Sequence, residues 1–126
     1  MIQMKMATTQ DYEAYADKIP QQFLQYYEKS RTYVMHMLEK QELLGVGSVT
    51  MLNESRAKIN DIVLFQDDYG LTDGLLRALL NFLDICKIKT VICESVNWFD
   101  SLKKLGFVRK EGQMVLALEG FFDKHC

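Results

Sequence analysis

The chain has 126 residues, 48% of them hydrophobic and 25% charged, with a formal net charge of −2. That length supports one domain with a real core and not two. The slightly acidic balance excludes the basic field of a nucleic-acid binder, and no apolar run reaches the roughly 20 residues of a membrane span. Met1 to Met6 lacks the apolar segment of a secretory leader, so a cytoplasmic protein is expected.

Cys86, Cys93 and Cys126 contain no Cys-x-x-Cys pair, and an odd count argues against a disulfide framework. Cys86 and Cys93 fall on apolar stripes and read as core thiols. His36 and His125 stand at no metal-ligand spacing from a cysteine or an acid cluster, so no metal is expected.

In chain order, Ile2 to Ala7 alternates weakly and predicts a first strand. Thr8 or Thr9 then caps a helix through Ile19, with Tyr12, Tyr15, Ala16 and Ile19 on its apolar face. Pro20 suits the first turn of a second short helix, Pro20 to Lys29, anchored by Phe23, Leu24 and Tyr27. Thr32 to Glu39 and Glu42 to Met51 are strands joined by a polar turn at Lys40-Gln41. Gly45 and Gly47 suggest a bulge or a close backbone approach. The run Ile59 to Phe65 reads as a buried strand.

Next comes Asp67-Asp68-Tyr69-Gly70-Leu71-Thr72-Asp73-Gly74, and then a helix. Leu75, Leu79, Phe82 and Cys86 recur at helical spacing, with Leu76, Leu80 and Leu83 widening the stripe. Thr72 is the expected N-cap and Asp73 the acid of the first turn. A helix opening just past a strand offers unpaired N–H groups to an anion, although most strand–turn–helix units bind nothing. Thr90 to Glu94 is a short buried strand, parallel to the previous one by the βαβ rule. Asn97 to Leu105 is a short helix ended by Gly106, with Trp98 and Phe99 packing under the fifth strand or, as the alternative, lining an acceptor pocket. Phe107 to Lys110 and Gln113 to Leu118 close the chain as strands. The resulting fold class is α/β with a mixed sheet, helices on both faces, and the order β-α-α-β-β-β-α-β-α-β-β in one domain.

Three pieces of this pattern resemble the GNAT N-acetyltransferase superfamily. Gly70-Leu71-Thr72-Asp73-Gly74, running into the leucine-rich helix, is similar to the family's acetyl-CoA loop, Arg/Gln-x-x-Gly-x-Gly/Ala. Leu102-Lys103-Lys104-Leu105-Gly106-Phe107 is similar to the family's Tyr-Glu-Lys-Leu-Gly-Phe. Leu43-Leu44-Gly45-Val46-Gly47 resembles its hydrophobic-Val-Gly strand.

The resemblance implies an acetyl-CoA-dependent transfer to a primary amine, on a small molecule or a peptide. It implies that acetyl-CoA lies where the fourth and fifth strands splay. Val63, Leu64 and Phe65 would present backbone to the thioester, and the loop and helix start, Tyr69, Gly70, Leu71, Thr72, Asp73 and Gly74, would hold the pyrophosphate. The same resemblance makes Asp61 a candidate base, against a solvent-facing residue beside Asn60. Glu94 is the second candidate, against a surface charge at a strand end. Tyr69 and Tyr33 are candidate substitutes for the family's tyrosine acid.

The chain also departs from the family pattern. Asp67 and Asp68 occupy positions where the family carries Arg/Gln and glycine, Thr72 replaces the last Gly/Ala, and Leu102 replaces the tyrosine. Like charges beside a pyrophosphate cost on the order of a kcal/mol each. The alternative is a GNAT-derived binding module without CoA chemistry. Phe121 and Phe122 are candidates for pairing in a homodimer.

Overall fold

The structure, a computed structural model, describes residues 1–66 and 68–122. Asp67, His125 and Cys126 therefore lie outside the described residues. The elements are β1 (Ile2–Met6), α1 (Thr9–Ala14), α2 (Leu24–Glu28), β2 (Thr32–Glu39), β3 (Glu42–Met51) and β4 (Arg56–Leu64). They continue with α3 (Tyr69–Ile85), β5 (Thr90–Cys93), α4 (Phe99–Lys104), β6 (Val108–Lys110) and β7 (Gln113–Ala117). Short 3₁₀ turns, Gln21–Phe23 and Val96–Trp98, lead into α2 and α4.

The expected element order and the mixed α/β architecture are both present. Among the described residues, one sheet runs β1-β2-β3-β4-β5-β7-β6. Every neighbouring pair is antiparallel except β4 and β5, which are parallel and joined by α3, as the βαβ pattern requires.

Each face of the sheet carries its own apolar cluster. On one side α3 buries Leu75, Leu76, Leu79, Leu80 and Leu83 against Val49, Ala57, Ile59 and Ile62, and Leu102 of α4 joins them. On the other side Tyr12, Ile19 and Phe23 pack on Val34, Leu43 and Val46. α3 sits low on the sheet because β3 carries glycine at 45 and 47 beneath it. A Cβ on Gly47 would come 2.9 Å from Leu79 Cδ1, and one on Gly45 would come 2.8 Å from Leu64 Cδ1. The two glycines thus mark a close approach, one of the two readings of their sequence.

Three boundaries differ from the sequence expectation with a local cause, and the caps at Thr8 and Gly106 agree with it. α1 stops at Ala14 rather than Ile19. A residue preceding proline is disfavoured in the helical region, so the chain turns before Ile19-Pro20 and sends Ile19 into the core. Thr8 is the N-cap, in a reciprocal box with Asp11. β4 begins at Arg56, three residues before the apolar run, because Ala57 is buried in the same row as Ile59. Finally, α3 begins at Tyr69 with Asp68 as N-cap, so the expectation of Thr72 as cap is corrected. An aspartate with extended backbone caps as well as a threonine does, and it lies four residues earlier. Gly106, at φ +108°, closes α4 with Gly106 N–H on the Lys103 carbonyl and Phe107 N–H on the Leu102 carbonyl.

Candidate functional site

β4 and β5 pair only from Arg56↔Thr90 to Ile59↔Cys93. Beyond that point β5 has ended, while β4 runs on to Leu64. The separation has a local cause. In the β3–β4 register Ser48 faces Asp61 and Val49 faces Ile59, which leaves Asn60 as an extra residue. Such a bulge bends its strand and reverses the facing of everything after it. Accordingly Ala57 and Ile59 pack toward α3 before it, and Ile62 and Leu64 after it, while Val63 and Phe65 turn to the α1–α2 side. The Asn60 amide is pinned by hydrogen bonds to Ser48 Oγ at 3.0 Å and Thr50 Oγ1 at 2.8 Å.

The parting strands open a cleft of about 600 Å³. Residues 62–66 form one wall. Asn97, Trp98, Asp100 and Ser101 form the other, and Asp68 and Thr72 close one end. Val63, Leu64 and Phe65, named from the sequence, all line it. Trp98 also lines it, and it packs against the core cluster that holds Val91 and Cys93 of β5, so both readings of its sequence are present.

At the α3 end the N–H groups of Gly70, Leu71 and Thr72 are already engaged. The Asp68 carboxylate accepts the Gly70 N–H at 2.8 Å. The Asp68 carbonyl accepts from Leu71 at 3.2 Å and Thr72 at 3.3 Å. Asp73 and Gly74 lie inside the helix, where N–H groups bond the preceding turn. No lysine or arginine lines the cleft among the described residues. Two cations flank the start of α3, and Lys18 Nζ lies 5.1 Å from the ring centre of the cleft residue Phe65. Lys104 borders a hollow of about 240 Å³ with Gly70, Asp73 and Ser101, and Arg77 holds Asp73 at 2.8 Å.

The two candidate acids stand on the opposite side of the splay. Asp61 pairs in register with Ser48 on the face that α1 and α2 cover, and its carboxylate accepts the Ile62 N–H at 2.8 Å. Its charge, after burial, helps push the Tyr26 hydroxyl pKa up. Glu94 follows the last residue of β5, with its side chain 62% exposed and 4.0 Å from Lys58 Nζ. Both carboxylates act on Cys93, whose thiol pKa is raised chiefly by burial. Neither lines the cleft.

Two other positions named from the sequence stand elsewhere. Tyr33 rests edge-on against Phe82, 5.2 Å between ring centres, and does not border the cleft. Leu102 is fully buried in the core. Among the described residues no group of His, Cys, Asp and Glu is placed to hold a metal ion, and no helix is long and apolar enough to cross a membrane.

Solved structures align over nearly the whole chain. An N-acetyltransferase from Staphylococcus aureus Mu50 superposes with a TM-score of 0.75, covering 94% of this chain and 99% of that one at 12% identity. The fold is that of the GNAT acetyltransferases. Mutant forms of the spermidine/spermine N-acetyltransferase SpeG from Vibrio cholerae share the GNAT fold with a TM-score of 0.72, 98% and 99% coverage and 11% identity. A GNAT family acetyltransferase from Elizabethkingia anophelis, solved with acetyl-CoA bound, gives 0.67 over 91% and 95% of the chains at 15% identity. No protein-family model and no curated protein matches the sequence.

Proposed function

We propose that the protein is a GNAT-type N-acetyltransferase that transfers acetyl from acetyl-CoA to a primary amine. The supporting observation is the splay itself: a cleft of about 600 Å³ with a strand edge freed along one wall. An extended acyl-carrier arm fits such a slot, because residues 62–64 of β4 have lost their partner on that side and offer backbone groups. The fit is poorer at the helix end. There the Asp68 carboxylate already fills the position on the Gly70 N–H that a phosphate oxygen would take.

Acetyl-CoA, when bound, supplies an activated thioester. The chain supplies the rest. Backbone of Val63 to Phe65 orients the arm. Tyr69 and Gly70, at the start of α3, together with Lys104 beside them, receive the phosphates once Asp68 moves aside. Leu71, Thr72, Asp73 and Gly74 shape that helix turn. Asp61 takes the proton from the incoming ammonium on the α1–α2 side, directly or through water, with Glu94 drawing the cation toward the opening. Cationic amines suit this side because both acids face it. SpeG, with the same fold, acts on spermidine and spermine, so polyamines belong in the first substrate panel.

A second reading has a specific observation behind it. Asp68 on the Gly70 N–H, a cleft wall without lysine or arginine, and a buried leucine at the tyrosine position all favour a binding module without CoA chemistry. Calorimetry with acetyl-CoA, followed by thiol release against polyamines, aminoglycosides and peptide N-termini, separates the two. Binding with turnover supports the enzyme. Absence of binding at millimolar acetyl-CoA leaves the binding module.

A further inference from the structure

Trp98 is the only tryptophan of the chain. Its indole N–H is shielded from solvent and has no hydrogen-bond partner, the one such side-chain polar atom among the described residues. The same residue lines the cleft, across from residues 62–66. A buried donor without an acceptor loses the water it had in the unfolded chain and gains nothing in return. Folded proteins satisfy most such groups, so an orphan in the wall of a large cleft needs an explanation.

The surroundings narrow what the acceptor is. Trp98 follows Cys93, the last paired residue of β5, by only five positions, so it stands where the strands begin to part. Among the described residues nothing reaches the N–H. A ligand lying along the freed β4 edge passes this point. Indole is a donor only, so its partner must be an acceptor such as a carbonyl oxygen. Because the N–H is sealed in the free protein, pairing requires the ring to turn toward the cleft. Gaining a partner for an unsatisfied donor drives that turn.

We propose that Trp98 is a ligand-positioning donor of the cleft, its indole N–H hydrogen-bonding a carbonyl oxygen of the bound acyl carrier. The inference rests on the acyl-CoA reading of the cleft. Two carbonyl types are available on that ligand: the thioester, present only in acetyl-CoA, and the amides of the arm, present in CoA as well.

The test uses the single indole resonance of the nitrogen-labelled full chain, titrated separately with acetyl-CoA and with CoA. A new hydrogen bond moves that resonance downfield. Movement with acetyl-CoA alone assigns the thioester carbonyl, and movement with both assigns an amide. Trp98→Phe keeps an aromatic ring and removes the donor. It is expected to melt no lower than the parent, because an unpaired buried group is gone, yet to bind the ligand about tenfold more weakly. Loss of affinity without loss of stability is what a merely structural tryptophan would not give. If calorimetry shows acetyl-CoA binding while the indole resonance stays put and Trp98→Phe binds equally well, the inference falls and the acetyltransferase reading stands. If neither ligand binds either protein, that reading falls and the inference with it.

Discussion

The carboxylate of Asp68 occupies the N–H of Gly70 at 2.8 Å, at the mouth of the cleft and the start of α3. The residue thus stabilises the helix while presenting a negative charge where the proposed ligand carries its phosphates. Asp68→Asn separates these effects. The amide oxygen still caps, so stability should change by less than about 0.5 kcal/mol, since Asn and Asp are equivalent caps. Removing a charge near a pyrophosphate should tighten CoA binding several-fold, on the order of 1 kcal/mol. Calorimetry at low salt reads the gain, and the gain should shrink as salt is added. Unchanged affinity at low salt would show that the phosphates lie elsewhere.

The glycines of β3 set the depth of α3, and they are not equivalent. At Gly47 an added Cβ meets the end of the Leu79 side chain at 2.9 Å. At Gly45 it meets Leu64 Cδ1 at 2.8 Å and also the Val63 carbonyl oxygen at 3.1 Å. A side-chain tip yields more readily than backbone. Gly45→Ala should therefore cost more, about 1–3 kcal/mol in urea unfolding. It should also weaken acetyl-CoA binding, because Val63 and Leu64 line the cleft. Gly47→Ala should cost less and leave binding alone.

Burial makes stability depend on pH through His36. Its side chain is 1% exposed, its Nε2 lies 2.7 Å from the Tyr27 hydroxyl, and Tyr15 and Tyr27 stand edge-on to the ring. Burial pulls its pKa from 6.5 down to about 4, opposed by the nearby Asp11 charge and assisted by Lys5. The unfolded chain therefore binds the proton first. Stability from keeping His36 neutral is complete above about pH 6.5 and is lost as pH falls toward 4, by about 3 kcal/mol in all. Urea midpoints at pH 7.5 and 5 should show the loss. His36→Gln should flatten most of that difference, and a parent profile already flat over this range would contradict it.

Much of this arrangement was legible in the chain. The parallel β4–β5 pair follows from two apolar runs flanking a helix-period leucine stripe, and the close helix approach follows from Gly45 and Gly47. The start of α3 was misplaced because Thr72 and Asp68 are both good caps, and local chemistry alone does not rank them. The bulge left a trace: Ala57 and Ile59 share one parity, Ile62 and Leu64 the other, with polar Asn60-Asp61 at the change. That phase break was readable as the cause of the splay. The placement of Trp98 was legible only as two alternatives, core packing and pocket wall, and the residue does both. An aromatic at a helix opening packs or lines a cleft according to where the preceding strand ends, and that is fixed by pairing with distant residues.

Asp61 and Glu94 share a face but not an environment, and that difference predicts unequal roles. Glu94 is largely solvated and faces Lys58 across 4.0 Å, an exposed pair that contributes about 0–1 kcal/mol at most. Asp61 is half-buried beside the bulge and anchored by the Ile62 N–H, so its position is set by backbone. A base must be held within reach of the proton it removes. Asp61→Asn keeps an oxygen to accept the Ile62 N–H, so the fold should be retained and acetyl-CoA affinity should not change. Its acetylation rate with a reactive amine should fall by about 10²-fold or more, the usual scale for losing a general base. Glu94→Gln should lower the rate less than about tenfold, mainly by raising KM for cationic amines, and the effect should fade with salt as a solvated charge is screened. Steady-state rates for both variants against one polyamine and one neutral amine decide the matter. A deep, salt-independent loss in Glu94→Gln with little change in Asp61→Asn would reverse the assignment.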